Sequence, residues 1–241
     1  MNGARGIGPL AEGRPAPGAV KRFSRMATRG FPCPARRIPS GAEPLTLVPA
    51  PGKDPLIYIH ADESCLGNQF KARARPGGAA GLLETWRGEE WICRDFWISE
   101  PDTTNNRMAI RSALEGLGAL KKPCAVTFVS DSKYLVDGIT KWVHGWRRQG
   151  WKKRGGPIQN LELWQALHRL VGRHEITWRW VKGHAGHARN EYANDLAVKA
   201  AQEQTRSGGP VESGFPAWLE GQREKGRYLD FMEFTPPVFE S

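Results

Sequence analysis

The sequence predicts an α/β fold, a mixed five-stranded sheet flanked by helices in the order βββαβααβα. Three observations predict it. Two apolar runs each end in an aspartate: Leu56-Ile57-Tyr58-Ile59-His60-Ala61 leads to Asp62, and Ala125-Val126-Thr127-Phe128-Val129-Ser130 leads to Asp131. Between them, two β-favouring runs meet at a tight turn, Arg87-Gly88. After them, helical stripes alternate with one more strand-like run. If the two aspartate-ended strands pair in parallel, Asp62 and Asp131 meet at the carboxyl edge of the sheet, where open α/β sheets place their chemistry. One aspartate after a strand is ordinarily a turn or N-cap residue. Two in matching contexts point to paired oxygen ligands whose repulsion a divalent cation relieves.

The elements follow in order. Strand one is Leu56–Ala61, and Gln69 to Gly78 is a loop carrying Lys71, Arg73 and Arg75. Gly78–Trp86 and Glu90–Ser99 complete an antiparallel meander. Met108, Ala113, Leu114, Leu117 and Leu120 form an apolar stripe on a helix from Asn106 to Lys121. Strand four, Ala125–Ser130, leads into a helix from Ser132 to Gly138, with further helices over Thr140–Arg147 and Leu161–Gly172. Glu175–Val181 is strand five, and Glu191 to Gln202 is the closing helix. These elements form one domain, 54–204.

The flanks read differently. Residues 1–53 are rich in Gly, Pro, Ala and Arg, with Glu12 the only acid before Glu43. They carry no apolar period and are expected to be a disordered leader. A basic arm for nucleic acid is the functional alternative, and a transit-type presequence fits less well because of the prolines. Met26 is an alternative first residue. Residues 205–241 turn polar, then hold Trp218, Leu219, Tyr228, Leu229, Phe231, Met232 and Phe234. They read either as a short helix folded back on the domain or as a docking segment for a partner.

The chain has 241 residues, a formal net charge of +10 and a pI near 9.7. That balance calls for a polyanionic partner or an acidic membrane surface. No apolar run reaches the ~18 residues of a membrane span. Ten tryptophans, several among arginines and lysines, suit a nucleic-acid groove better than a lipid surface. Cys33, Cys65, Cys93 and Cys124 lack metal-type spacing and follow no secretory segment, so they are expected to be reduced thiols in a cytoplasmic protein. A monomer is expected, and no protein partner is identifiable.

One segment concentrates the charge. Trp142 to Arg154 carries five basic residues and no acid, with tryptophans at 142, 146 and 151. Arg147, Arg148, Lys152 and Lys153 can neutralise phosphates, while Trp142, Trp146 and Trp151 either anchor the helix or lie along a sugar track.

This element order carries five motifs: Asp62-Glu63-Ser64-Cys65-Leu66-Gly67-Asn68, Thr103-Thr104-Asn105-Asn106-Arg107-Met108, Ser130-Asp131-Ser132, Trp180-Val181-Lys182-Gly183-His184-Ala185-Gly186-His187, and Asn190-Glu191. Together they resemble ribonuclease HI over about residues 56–202. The resemblance implies a two-metal site, served by Mg²⁺ or Mn²⁺, that cleaves the RNA strand of an RNA–DNA hybrid. It also implies that His184 assists the water or product release, and that the basic segment holds the DNA strand. The Asn105–Asn106 pair, with Thr104, would touch bases and 2′-hydroxyls in the minor groove. Cys65, Asn68 and Ser132 join that substrate-facing set. The 69–76 stretch, longer than its family counterpart, is expected to contact the RNA backbone.

The acid set departs from the family pattern. Asp62 and Asp131 are present, but Ala109 and Asn194 stand where the family has acids. Alanine cannot bind metal, and asparagine offers only a neutral carbonyl oxygen. Glu63, where the family has a glycine, is a candidate to supply oxygens from a different backbone position; the alternative is a solvated loop acid. Asp195 is a weaker candidate, because adjacent helical residues point about 100° apart. His60 is expected to pack beneath the site, and His187 to be structural. The expected function is therefore a hybrid-cleaving nuclease with Asp62, Glu63 and Asp131 as ligands and Asn194 assisting. The rival is a hybrid- or double-stranded-RNA-binding protein that kept the grip and lost the cut. A strand-transfer nuclease of the integrase type fits poorly, lacking a late helical carboxylate.

Overall fold

The computed structural model describes residues 56–67, 75–87, 90–183 and 186–231. Strands β1 (Leu56–Cys65), β2 (Gly77–Arg87) and β3 (Glu90–Glu100) form the antiparallel meander. Helix α1 (Asn105–Gly118) then leads to β4 (Ala125–Ser130), which pairs in parallel with β1. Next come α2 (Lys133–Asp137), a π-helical turn (Gly138–Trp142), α3 (Val143–Arg148) and α4 (Leu161–Val171). The chain continues with β5 (Glu175–Trp180), α5 (Ala188–Glu203), β6 (Val211–Glu212) and α6 (Phe215–Arg223). Across the sheet the strand order is β5-β4-β1-β2-β3-β6.

β1 is apolar almost throughout because the sheet is covered on both faces there. Ile57, Ile59 and Ala61 face the main core with Ala109, Ile110, Leu117, Phe128 and Trp164. The alternate residues Tyr58, His60 and Asp62 face α5, since side chains along a strand alternate. Helix α5 lies unusually close to β2. A Cβ on Gly78 would fall 2.1 Å from the Ala197 carbonyl oxygen and 2.7 Å from the Ala201 nitrogen. Glycine on the strand and alanines at 193, 197, 200 and 201 on the helix make that approach possible.

After α5 the chain returns along β3. The Ser207 N–H donates to the Trp97 carbonyl at 2.9 Å, and β6 pairs with Arg94 and Asp95. Helix α6 then docks on α5, joining Phe215 and Leu219 to Tyr192 and Leu82 in a second core cluster. Asp95 anchors the junction, accepting from the Tyr192 hydroxyl at 2.5 Å, the Ser213 hydroxyl at 2.7 Å and the Gly214 N–H at 2.9 Å.

Three sequence expectations need correction. The sheet has six strands, not five, because two residues, Val211–Glu212, are too few to show a period. Helix α5 starts at Ala188 instead of Glu191, with His187 at its N-cap. The helical pieces between Lys133 and Arg148 run on as one arm, since the π-turn bridges them. Gly138 opens that turn beneath Trp164, whose ring a Cβ would meet at 2.2 Å. The leader 1–53 lies outside the described residues.

Gly78→Ala is expected to force α5 off the sheet. The variant should lose about 1–3 kcal/mol of stability, the ordinary cost of overpacking, read as a lower urea midpoint with the slope unchanged.

Candidate metal centre

Because Ala61 pairs with Ser130 in the parallel ladder, Asp62 lies beside Asp131; β4 ends just before Asp131, whereas β1 runs on past Asp62 to Cys65, beyond the Ala61 that its apolar run predicts. Glu63 completes the group: one carboxylate oxygen from each of Asp62, Glu63 and Asp131 lies within 4.8 Å of the others. Asp62 is buried. Its Oδ1 accepts from the Glu63 N–H at 2.7 Å, and its Oδ2 accepts from the Asn190 side-chain amide at 2.9 Å.

The electrostatics follow from burial and crowding. Burial, then the Asp131 charge, pushes Asp62 up to about 7, with the two hydrogen bonds opposing. Burial first, then Asp62 and Asp131, pushes Glu63 well above the usual carboxylate range, against a hydrogen bond from Ser132. Glu63 as a whole is half-buried, but its Oε2 is enclosed and has no hydrogen-bond partner, and the same holds for Asn190 Oδ1. Three mutually repelling carboxylates with an unpartnered enclosed oxygen form the donor set of a hard divalent cation. The residues present therefore fit such an ion.

Trp180 holds the backbone of Asp131 and is itself covered by Lys133. The Trp180 indole N–H donates to the Asp131 carbonyl at 2.8 Å, and Lys133 Nζ lies 4.5 Å from the centre of the Trp180 ring. A Cβ on Gly183 would fall 2.3 Å from Asp131 Oδ2, so only glycine lets the carboxylate lie against the backbone there.

The other sequence candidates separate by position. Asn194 is half-buried on α5, one turn beyond Asn190 and on the same side of the helix. Ala109 is fully buried in the main core. Asp195 accepts from the Trp218 indole at 2.8 Å, so it belongs to the α6 dock and not to the acidic cluster. His60 is buried beneath the site, 3.8 Å from Glu84, and burial keeps it neutral. Asn190 is the contact that sequence reasoning missed. The motif containing it was visible, and its place four residues before Asn194 is the signal that could have found it.

Thr104 caps α1, accepting from the Arg107 N–H at 3.2 Å, while Asn105 and Asn106 are exposed in its first turn. Ser132 caps α2, accepting from the Leu135 N–H at 3.4 Å. The Cys65 thiol points at the carbonyls of Thr103, 3.5 Å away, and Arg75, 3.8 Å away. Arg147, Arg148, Lys152 and Lys153 are all exposed. Trp146 and Trp151 pack partly into the core, whereas Trp142 stays 37 % exposed. Trp142 and Trp146 line a cleft of about 340 Å³ with Tyr134, Lys153, Ile158 and Gln159. Asn68, Lys71, Arg73 and His184 lie outside the described residues. Among the described residues, no helix is long and apolar enough to cross a membrane.

In metal-free protein the raised Asp62 value has a definite sign. The folded state holds the proton more tightly than the unfolded state, so stability present below pH 3.8 is lost as pH rises through about 7. The loss is worth roughly 4 kcal/mol for a shift of this size. Without divalent metal, Tm should fall between pH 5 and pH 8, and millimolar Mg²⁺ should reverse the fall at pH 8. An Asp62→Asn variant should show a flatter profile.

Comparison with known proteins identifies the family. The RNase H family model matches residues 54–202. A ribonuclease H of Erythrobacter litoralis (strain HTCC2594) is 47% identical over 150 residues, covering 62% of this chain and 98% of its own. A ribonuclease H of Proteus mirabilis (strain HI4320) is 41% identical over 170 residues, covering 70% of this chain and 97% of its own. The crystal structure of LC9-RNase H1, described as a type 1 RNase H with the type 2 active-site motif, is 48% identical. It superposes with a TM-score of 0.67, covering 76% of this chain and 87% of that one. The chain belongs to the RNase H family.

Proposed function

We propose that this protein is a divalent-metal-dependent endoribonuclease that cleaves the RNA strand of RNA–DNA hybrids, with Asp62, Glu63 and Asp131 as ligands and Asn194 assisting. The carrying observation is the convergence of three carboxylates within 4.8 Å, one of them supplied by Glu63, next to Asp62 on β1. The family supports action on RNA–DNA hybrids. LC9-RNase H1 gives precedent for a type 1 RNase H whose active-site motif is not the type 1 one.

Bound divalent cations, Mg²⁺ or Mn²⁺, would supply Lewis acidity that activates water and stabilises the leaving oxygen. The chain's own residues do the rest. The Asn190 amide and the Glu63 N–H orient the Asp62 carboxylate. Asn190 Oδ1 and Glu63 Oε2 are enclosed without a hydrogen-bond partner, so their acceptor capacity is unused. His184, between Gly183 and Gly186, is assigned proton movement at neutral pH. Asn105 and Asn106, exposed at the start of α1, meet the minor groove, and Thr104, Ser132, Cys65 and Asn68 are assigned to the same substrate-facing set. Arg147, Arg148, Lys152 and Lys153 hold phosphates of the DNA strand beside the Trp142 cleft. A monomer in the cytoplasm is the simplest setting for this activity.

A second reading, a binding protein without catalysis, draws on Ala109 and Asn194, which leave the site short of two carboxylates. Activity assays with a labelled hybrid and Mg²⁺ or Mn²⁺ separate the two. Asp62→Asn should lower kcat by about 10³-fold or more and Glu63→Gln by about 10²-fold, each with hybrid affinity within about twofold. An unchanged rate in Glu63→Gln removes Glu63 from the ligand set. No cleavage by the unmodified protein favours the binding reading.

The basic arm has its own signature. Replacing Lys152 and Lys153 with alanine should weaken hybrid binding about 5- to 10-fold irrespective of sequence, and reduce the slope of log affinity against log salt by about 2.

A further inference from the structure

Residues 205–231 lie beyond the 54–202 stretch that the family model matches, yet they reach back to the first turn of α5. That turn carries three consecutive side chains with three separate tasks. Arg189 pairs with buried Glu84 at 2.6 Å and lies over the ring of Phe231, 4.6 Å from its centre. Asn190 donates to Asp62 at 2.9 Å. Glu191 joins the tail to the backbone that leads into the helix. Its Oε2 accepts from Arg227 Nη2 at 2.8 Å and from the Tyr228 hydroxyl, while its Oε1 accepts from the Gly186 N–H at 3.2 Å.

The grip is built as a unit. Arg227 Nη2 also donates to the Tyr228 oxygen at 3.0 Å, and its guanidinium lies 5.0 Å from the centre of that ring. Tyr228 rests against Trp218, with ring centres 5.6 Å apart. Burial and the Glu191 contact push the Tyr228 hydroxyl up to about 12, so it stays a donor at working pH.

Docking the tail does not require this grip. β6 pairing and the Asp95 cluster with Ser213 and Gly214 already fix α6, and none of them touches the α5 turn that holds Asp62 except through Tyr192. Arg227 and Tyr228 instead converge on the residue next to Asn190.

We propose that Arg227 and Tyr228 are positioning residues for the metal centre. By clamping Glu191 they fix the Gly186 backbone and the first turn of α5, and thereby the Asn190 amide on Asp62. The activity part of this proposal rests on the hydrolytic reading above; the structural part does not.

The test uses the full-length chain with Arg227→Gln and Tyr228→Phe combined. Expected are a kcat for hybrid cleavage lower by about 3- to 10-fold with KM within about twofold, and Gly186 amide exchange faster by about 10-fold. Mg²⁺ affinity by calorimetry should weaken by about 3- to 10-fold. Glu191→Ala should reproduce these changes, and adding the tail substitutions to it should cost nothing more, as expected for one coupled unit. Ser213→Ala, which loosens the docking at Asp95, should lower Tm while leaving kcat and Gly186 exchange unaltered. The proposal is overturned if the clamp variant keeps unmodified kcat and Gly186 exchange, or if Ser213→Ala changes both to the same extent. If the unmodified protein cleaves no hybrid, the hydrolytic reading fails, and Gly186 exchange with Mg²⁺ affinity still decides the clamp.

Discussion

Mutual repulsion among Asp62, Glu63 and Asp131 is the constraint around which this structure is arranged. Two like charges about 4 Å apart in a partly enclosed site cost roughly 4 kcal/mol at an effective dielectric near 20. Hydrogen bonds at these residues do not by themselves offset that cost. The sheet does, because β1 is buried from Ile57 to Asp62 and paired with β2 on one side and β4 on the other. Burial first, and then the Asp131 charge, keep the proton affinity of Asp62 high against the two hydrogen bonds that oppose them. A site so loaded gains stability from any cation it admits.

Helix α5 transmits the scaffold's rigidity to that site. Its flush seating over Gly78 sets how far its first turn lies from β1, and so brings Asn190 within hydrogen-bond range of Asp62. The buried Arg189–Glu84 pair adds orientation more than net stability, since desolvation offsets much of its attraction. Losing one member would leave an uncompensated buried charge, costing about 3–5 kcal/mol. The same helix therefore answers to the sheet, to the acidic cluster and to the C-terminal segment.

Much of this is legible in the sequence, for identifiable reasons. Ala125–Ser130 has the boundaries its pattern predicts, since a short apolar run bounded by a proline-cysteine turn and an aspartate admits few other readings. The meander is legible from its turn at Arg87-Gly88. The proximity of Asp62 to Asp131 follows from parallel pairing alone. What sequence cannot show is how helices cross the sheet. The Asn190–Asp62 bond, the Arg189–Glu84 pair and the Asp95–Tyr192 bond each join residues about a hundred positions apart and depend on the seating of α5. Val211–Glu212 escapes for a different reason, having too few residues to carry any pattern. Asp195 illustrates the converse: its neighbour Asn194 suggested a ligand, but the Trp218 indole claims the carboxylate.

The path of the chain after α5 has one more consequence. Beyond the β6 pairing, the Ser99 hydroxyl donates to the Thr205 carbonyl at 3.0 Å, the Trp97 N–H to Ser207 Oγ at 3.2 Å, and the Trp97 indole to Thr205 Oγ1 at 3.2 Å. Unsatisfied peptide groups on an outermost strand are the usual template for edge-to-edge aggregation. Here the chain's own backbone and hydroxyls occupy them along β3. At the opposite border, β5 interposes Glu175 and Arg179, charges that discourage a foreign strand from adding on. The fold thus guards both margins of its sheet against fibril-like growth, one by self-coverage and the other by charge.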